Sequence, residues 1–244
     1  MVCQVHRSLA SFLSVDRKAF TKSPTFHTAN VMAHFKIGPM TDNKDIRNEI
    51  LRYFELQLKP KGFQRKNNSL IRETEKGLIQ VIDFVLGQNY STNNNHLGLG
   101  FGIYTDEWFR HLNFGSKPKS INQSHCELRS DFVESIPKDN NFGWIDLKQN
   151  FNLIQNNIQD LIDSYFIPLL DDLTTRDKII EQWIQKGNIL GLQRGRLSIA
   201  ILYWYIGKKD LSNELIESEL LDNEGNPYYN YVIEKRNELN KNAP

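Results

Sequence analysis

The chain has 244 residues, 39% of them hydrophobic and 24% charged, with 30 basic side chains against 29 acidic ones. That balance excludes a chain disordered throughout and supplies no global charge to draw in nucleic acid. No apolar run reaches the ~18 residues of a membrane helix, so no membrane partner is expected. The two cysteines, Cys3 and Cys126, make neither a disulfide framework nor a four-ligand zinc site, which suits a reducing, cytoplasmic setting.

Residues 1–40 stand apart. They hold Arg7, Arg17, Lys18, Lys22 and Lys36 against the single acid Asp16, and no period of 2 or 3.6 persists through them. They read as a disordered tail or as a segment upstream of the natural start, with Met32 and Met40 as alternative starts. A basic, acid-poor, serine-containing segment is also compatible with an organellar presequence.

A helix follows. Thr41, Asp42 and Asn43 offer cap oxygens, and Ile46, Ile50, Phe54 and Leu58 recur every four residues to make one apolar face. Lys59-Pro60-Lys61-Gly62 ends it. Strands are expected next: 62–66, a turn at Asn67-Asn68, 69–72, a turn at Glu75-Lys76-Gly77, and the β-branched run 78–86. The polar run 88–95 reads as a loop, and 96–104 as a strand. In that strand Gly98, Gly100 and Gly102 leave one face bare, where a backbone, a ring or a ligand can approach. Their period of 2 is not that of a phosphate-binding loop.

Thr105-Asp106-Glu107 can cap a short helix through Leu112. Strands at 126–133 and 144–147 flank a turn at 139–143. From Gln149 the period is helical, with Pro168 as an interruption. Thr174-Thr175 caps a second helix closed by Gly187, and three more are expected at 196–206, 211–221 and 228–239. The pattern predicts an α+β fold: an N-terminal helix packed on an antiparallel β-sheet, then a C-terminal helical region. We divide it into an α+β domain at 41–172 and a helical extension at 173–244 packed on the same unit.

Chemistry is sparsely signalled. His125-Cys126 is an adjacent pair, but strand neighbours point to opposite faces, and a buried structural Cys126 is the ordinary reading. No spacing of His, Cys, Asp or Glu suggests a metal site, and nothing points to a cofactor. Asp83, a lone acid in the most apolar strand, and Asp131 are the catalytic candidates for a metal-dependent nuclease or hydrolase. Lys59, Lys61, Arg65, Lys66 and Arg72 surround the first hairpin, with Phe63 and Phe101 as possible rings between them. Such interleaving can bind single-stranded nucleic acid, although a charged edge that discourages sheet aggregation is the commoner reason for it.

Leu58-Lys59-Pro60-Lys61-Gly62-Phe63-Gln64-Arg65-Lys66 resembles the "LKPxGFxRK" opening of the bacterial family called domain of unknown function 4304. Leu78-Ile79-Gln80-Val81-Ile82 is similar to its "GLxQVI" strand, and 97–104 to its "VNLGIY" strand. Cys126-Glu127-Leu128-Arg129 is similar to its "C-x-x-R" segment, and Trp144-Ile145-Asp146-Leu147 to its tryptophan-containing strand. The resemblance spans about 41–172. Two positions depart from it: Asp83 stands where glutamine is frequent, and Ile145 where a second tryptophan is common. The resemblance implies a helix against an antiparallel sheet and no known activity.

By fold-level analogy with small immunity proteins, the expected partner is another protein. The segment 151–244 holds ten basic and fourteen acidic side chains, a charge of −4 that complements a basic partner. Arg65, Lys66, Arg72, Gly98, Gly100, Phe101, Arg129 and Trp144 are the candidate binding residues.

Overall fold

The computed structural model describes residues 43–89, 94–112, 116, 118–131, 145–146, 151–187 and 192–241. The expectations for residues 1–40, the 139–143 turn and Trp144 lie outside these. The first helix, α1 (Asn43–Leu58), passes through a short 3-10 turn at Lys59–Lys61 into β1 (Gln64–Lys66). Then come β2 (Ser69–Glu75), β3 (Leu78–Asn89), β4 (Asn94–Thr105), α2 (Asp106–Leu112), β5 (Leu128–Asp131) and β6 (Ile145–Asp146). The sheet has the order β1-β2-β3-β4-β5 with every pair antiparallel, and β6 pairs with the far end of β4. This meander needs only short connections, and its turns carry the residues such turns require. Asn67 takes a left-handed φ of 56° between Lys66 and Ser69, and Gly77 one of 73° between Glu75 and Leu78.

One correction concerns the polar run 88–95. Gln88 and Asn89 continue β3, and Asn94 and Asn95 already pair in β4. The long ladder between these two strands overrides the weak strand preference of the asparagines.

The sheet has two unlike faces. Leu78, Ile82 and Phe84 of β3 and Leu97, Leu99, Phe101 and Ile103 of β4 join the main core. There they meet Ile50, Phe54 and Leu58 of α1 and the C-terminal helices. The opposite face holds a small cluster of Val81, Tyr104, Ile121 and Cys126.

The C-terminal helices are α3 (Phe151–Leu161), α4 (Ile167–Asp171), α5 (Arg176–Lys186), α6 (Gly195–Tyr205), α7 (Lys209–Asp222) and α8 (Pro227–Lys241). Pro168 does not end the first of them. A π turn at Ile162–Phe166 joins α3 to α4, with the Ile167 N–H bonded to the Ile162 carbonyl. The wider turn absorbs a proline that lacks an N–H and would clash in a regular helix. The Thr175 hydroxyl caps α5 by accepting from the Lys178 N–H at 3.2 Å. α6 is buried on nearly every side, from Leu197 to Trp204. No helix among the described residues is long and apolar enough to cross a membrane.

Two arginine clusters lock helices onto the sheet. Arg72 donates to Gln80 Oε1 (2.7 Å), the Lys61 carbonyl (3.2 Å) and Asp171 Oδ1 (2.7 Å), with its guanidinium 4.6 Å from the Phe63 ring centre. Gln80, fully buried, passes its own amide hydrogens to the Leu170 and Leu173 carbonyls. Arg176 at the start of α5 clasps Glu75 Oε2 (2.8 Å) and Glu107 Oε1 (2.7 Å).

Candidate functional site

The two candidate acids stand two strands apart in the sheet. Asp83 is buried, and its carboxylate accepts from the Ser69 hydroxyl (3.0 Å), the Phe84 N–H (3.1 Å) and the Gln123 N–H (3.3 Å). It therefore tethers the segment that crosses the sheet before β5. Register places Asp83, Gly100 and Asp131 in one row across β3, β4 and β5. Two strand spacings separate the two aspartates' backbones, roughly 10 Å. Among the described residues no group of three or more His, Cys, Asp and Glu is placed to hold a metal ion.

The bare glycine face is filled by the chain itself. A Cβ on Gly100 would lie against the Gln123 amide, and one on Gly102 would lie 2.6 Å from the Cβ and Sγ of Cys126. The close approach that the glycines permit is thus an internal one, and Gly98 is likewise buried. His125 closes a 3-10 turn at Gln123–His125 and Cys126 follows it as the C-cap, so neither lies in a strand. His125 Nδ1 accepts from the Asn122 N–H in a capping box. Burial, with the Asp83 carboxylate nearby, pushes the Cys126 thiol well above its ordinary range. A thiolate nucleophile needs the opposite shift.

The basic hairpin is split. Lys59, Lys61 and Lys66 are exposed, while Arg65 bonds to the Asn67 carbonyl and to Asn48. Arg72 is held in the contacts given above. Phe63 is 0% exposed and Phe101 is 2% exposed, the latter against Phe166, so neither ring is available to stack on a base. Arg129 donates to the Ser124 carbonyl (3.0 Å) and to Gln193 (3.4 Å).

A concave site does form, but elsewhere. Trp183 of α5, Gln193 and Arg194 of the turn before α6, Gly195 and Arg196 of α6, Glu219 of α7 and Tyr228 of α8 line a cavity of about 360 Å³. That volume lies within the range of ligand pockets. Beside it sits Glu127, its side chain 2% exposed. Its Oε1 accepts from the Arg194 N–H (2.8 Å) and the Ser198 hydroxyl (2.7 Å), and its Oε2 pairs with Arg194 Nη1. Burial raises the Glu127 carboxyl above its usual range, opposed by these donors. The buried carboxylate thus receives the N-terminal turn of α6, which has no side-chain cap of its own. On the far wall Arg196 is fully engaged by Ser218, Glu219 and Asp222. Tyr228 stacks on Tyr231 with centroids 5.6 Å apart, and burial, aided by Glu219, moves its hydroxyl up to about 12.

A second polar cluster joins α2, α6 and α8. The Tyr205 hydroxyl meets His111 Nε2 at 2.9 Å and accepts from Arg110 at 3.0 Å. His111 Nδ1 lies 3.6 Å from Glu238. Burial holds the His111 imidazole below its ordinary range.

The cavity residues escape sequence reasoning because they come together only on folding. One local signal was present. Arg194-Gly195-Arg196 puts two cations at the start of the most apolar helix, where the helix dipole disfavours them.

With the geometry in place, comparison with known proteins adds one finding. Residues 54–172 match the model of the family described as Domain of unknown function (DUF4304). This is the family the sequence resembles. The match covers the sheet and ends at the close of α4, so the family segment contains Glu127 but none of the residues lining the cavity. No curated protein and no solved structure matches the chain.

Proposed function

We propose that the protein acts by binding another protein, through the face on which α5 and α7 wall the cavity. The observation that carries this reading is exposed apolar surface on those two helices. Leu221 of α7 is 73% exposed and Ile184 of α5 is 61% exposed, the highest values for large apolar side chains among the described residues. The lining of Trp183, Arg194, Arg196 and Tyr228 has the residue types that dominate binding energy at protein interfaces. The acidic excess of the helical region favours a basic partner and speeds its arrival.

The test is affinity capture with the full chain and with an Ile184→Asp/Leu221→Asp variant. Both substituted positions are exposed, so the variant should keep the wild-type circular dichroism and melting temperature. The reading expects one protein in stoichiometric amount on the wild type and its loss from the variant. Equal retention by both, or capture by neither, would overturn it.

A further inference from the structure

The charges of α7 work against the helix that carries them. It holds five acids, Asp210, Glu214, Glu217, Glu219 and Asp222, and one lysine. Asp210 and Glu214 stand four residues apart and Glu214 and Glu217 three, where like charges repel across one turn. The last turn holds Glu219 and Asp222 and no base, the sign that the helix dipole disfavours. Neighbouring arginines offset part of this. Arg196 takes Glu219 and Asp222, and Arg236 takes Glu217. Asp210 and Glu214 are exposed and meet no cation among the described residues. Lys209 is turned over the Trp204 ring instead, with its ammonium 4.9 Å from the ring centre. Acids alone would make an ordinary solvated surface, but these lie between two exposed leucines. Leu211 is 42% exposed and Leu221 is 73% exposed. Leu211, Glu214, Ser218 and Leu221 follow one another at i, i+3, i+7 and i+10. They form one ridge of the helix, about 15 Å long, with an apolar residue at each end.

On the protein-binding reading above, we propose that this ridge of α7 docks a basic amphipathic helix of the partner. Charge complementarity sets the sign. Lysines or arginines on the partner helix supply the cations that Asp210 and Glu214 lack, and relieve the repulsion along the ridge. Spacing sets the form. A helix repeats its side chains at the rises of about 4.5 and 6 Å found on this ridge. Same-face residues of an extended chain recur about every 6.8 Å and fall out of step with it. The two leucines then pack against apolar residues about three turns apart on the partner.

The probe is a fluorescent peptide with leucine at i and i+10 and lysine at i+3, i+4 and i+7 on one helical face. Its control has the same composition, permuted so that no face forms. Anisotropy titrations use the full chain at low and at physiological salt. The amphipathic peptide should bind saturably and about tenfold tighter than the permuted one. Asp210→Asn/Glu214→Gln removes two exposed ion pairs and should weaken it about threefold to twentyfold, an effect that shrinks as salt rises. Leu221→Ala should weaken it about fivefold at either salt. All three positions are exposed, so both variants should keep the wild-type circular dichroism. No binding, equal affinity for the two peptides, or binding untouched by either variant overturns the proposal. A captured protein that the amphipathic peptide does not displace leaves the protein-binding reading standing and overturns the helix. Failure of that reading shows differently, as capture of no protein at all.

Discussion

Replacing Glu127 tests the central joint of the molecule. Its carboxylate, 2% exposed, accepts three hydrogen bonds, from the Arg194 N–H, the Arg194 guanidinium and the Ser198 hydroxyl. Removing one partner of a buried pair costs about 3–5 kcal/mol when the other charge stays buried. Here the Arg194 side chain is 30% exposed and can turn to water, which places Glu127→Ala near the lower end. Glu127→Gln keeps an acceptor for the Arg194 N–H and the Ser198 hydroxyl but turns an NH₂ toward the guanidinium, so about 2 kcal/mol is expected. At about 2–4 °C per kcal/mol for a chain of this size, the alanine variant should melt roughly 6–12 °C lower. Urea unfolding of both variants, closed into a cycle with Arg194→Met, reads the pair directly. If Glu127→Gln lies within about 0.5 kcal/mol of wild type, Glu127 is not what seats α6 on the sheet, and the reasoning fails.

Other outcomes follow from the same structure. Gly102→Ala drives a methyl against the Cβ and Sγ of Cys126, close to a main chain that cannot retreat, and should cost about 1–3 kcal/mol in urea unfolding. Gly100→Ala meets the movable end of Gln123 instead and should cost less, so the opposite order would show that the crossing segment is the softer part. Arg72→Met loses its bonds to Gln80, Asp171 and the Lys61 carbonyl, and should lower stability by about 1–2 kcal/mol. A variant of unchanged stability that loses nucleic-acid binding would restore the interface reading of the hairpin. His111 has a folded-state pKa below its ordinary 6.5, with Glu238, Arg110, Lys235 and Tyr205 around it. The unfolded chain then binds the proton more readily, so this contribution is complete above pH 6.5 and is lost as pH falls toward the folded value. Urea unfolding at pH 7.5, 6.5 and 5.5 should show wild type losing more stability than His111→Gln, and parallel curves would refute the assignment.

The strands and helices were legible because their signals are local. Ile46, Ile50, Phe54 and Leu58 repeat at a helical period, and all but Ile46 are fully buried. The alternation in 96–104 predicted one bulky and one bare face, and Phe101 and Gly100 occupy those faces. What the alternation does not contain is the identity of the cover. Gln123 and Cys126 reach the glycines through a turn whose position depends on the Asp83 carboxylate, forty residues away in sequence. The π turn before Pro168 was equally hidden, since a proline signals a broken ladder but not a local widening that keeps the helix going. Arg65, Arg72 and Phe63 form a basic aromatic cluster in sequence, yet the strand period sends Phe63 inward and Arg72 over it. Trp183, Arg194, Glu219 and Tyr228 lie on four segments, and no spacing rule joins them.

The arrangement of charged joints decides how the helical region behaves. Glu107 and Glu127 are buried carboxylates on the sheet side, and their guanidinium partners, Arg176 and Arg194, both lie beyond residue 172. The indole N–H of buried Trp108 likewise donates to the Ser198 carbonyl at 2.8 Å. Opening the helices away from the sheet would break both ion pairs and the Trp108 hydrogen bond, and would also expose the apolar faces of α6. Each bond exchanged for water costs about 0.5–1.5 kcal/mol, about 1.5–3 where it is charged, and the exposed apolar surface adds about 25 cal/mol per Å², so together they rival the whole stability of an ordinary domain. Residues 43–241 should therefore unfold in a single transition, with calorimetric and van't Hoff enthalpies equal. Glu107→Gln and Glu127→Gln should lower that one midpoint rather than split it. Two transitions in the wild type, with only the lower one responding to these substitutions, would mean that the helices form an independent body. The cavity would then owe its shape to the helices alone.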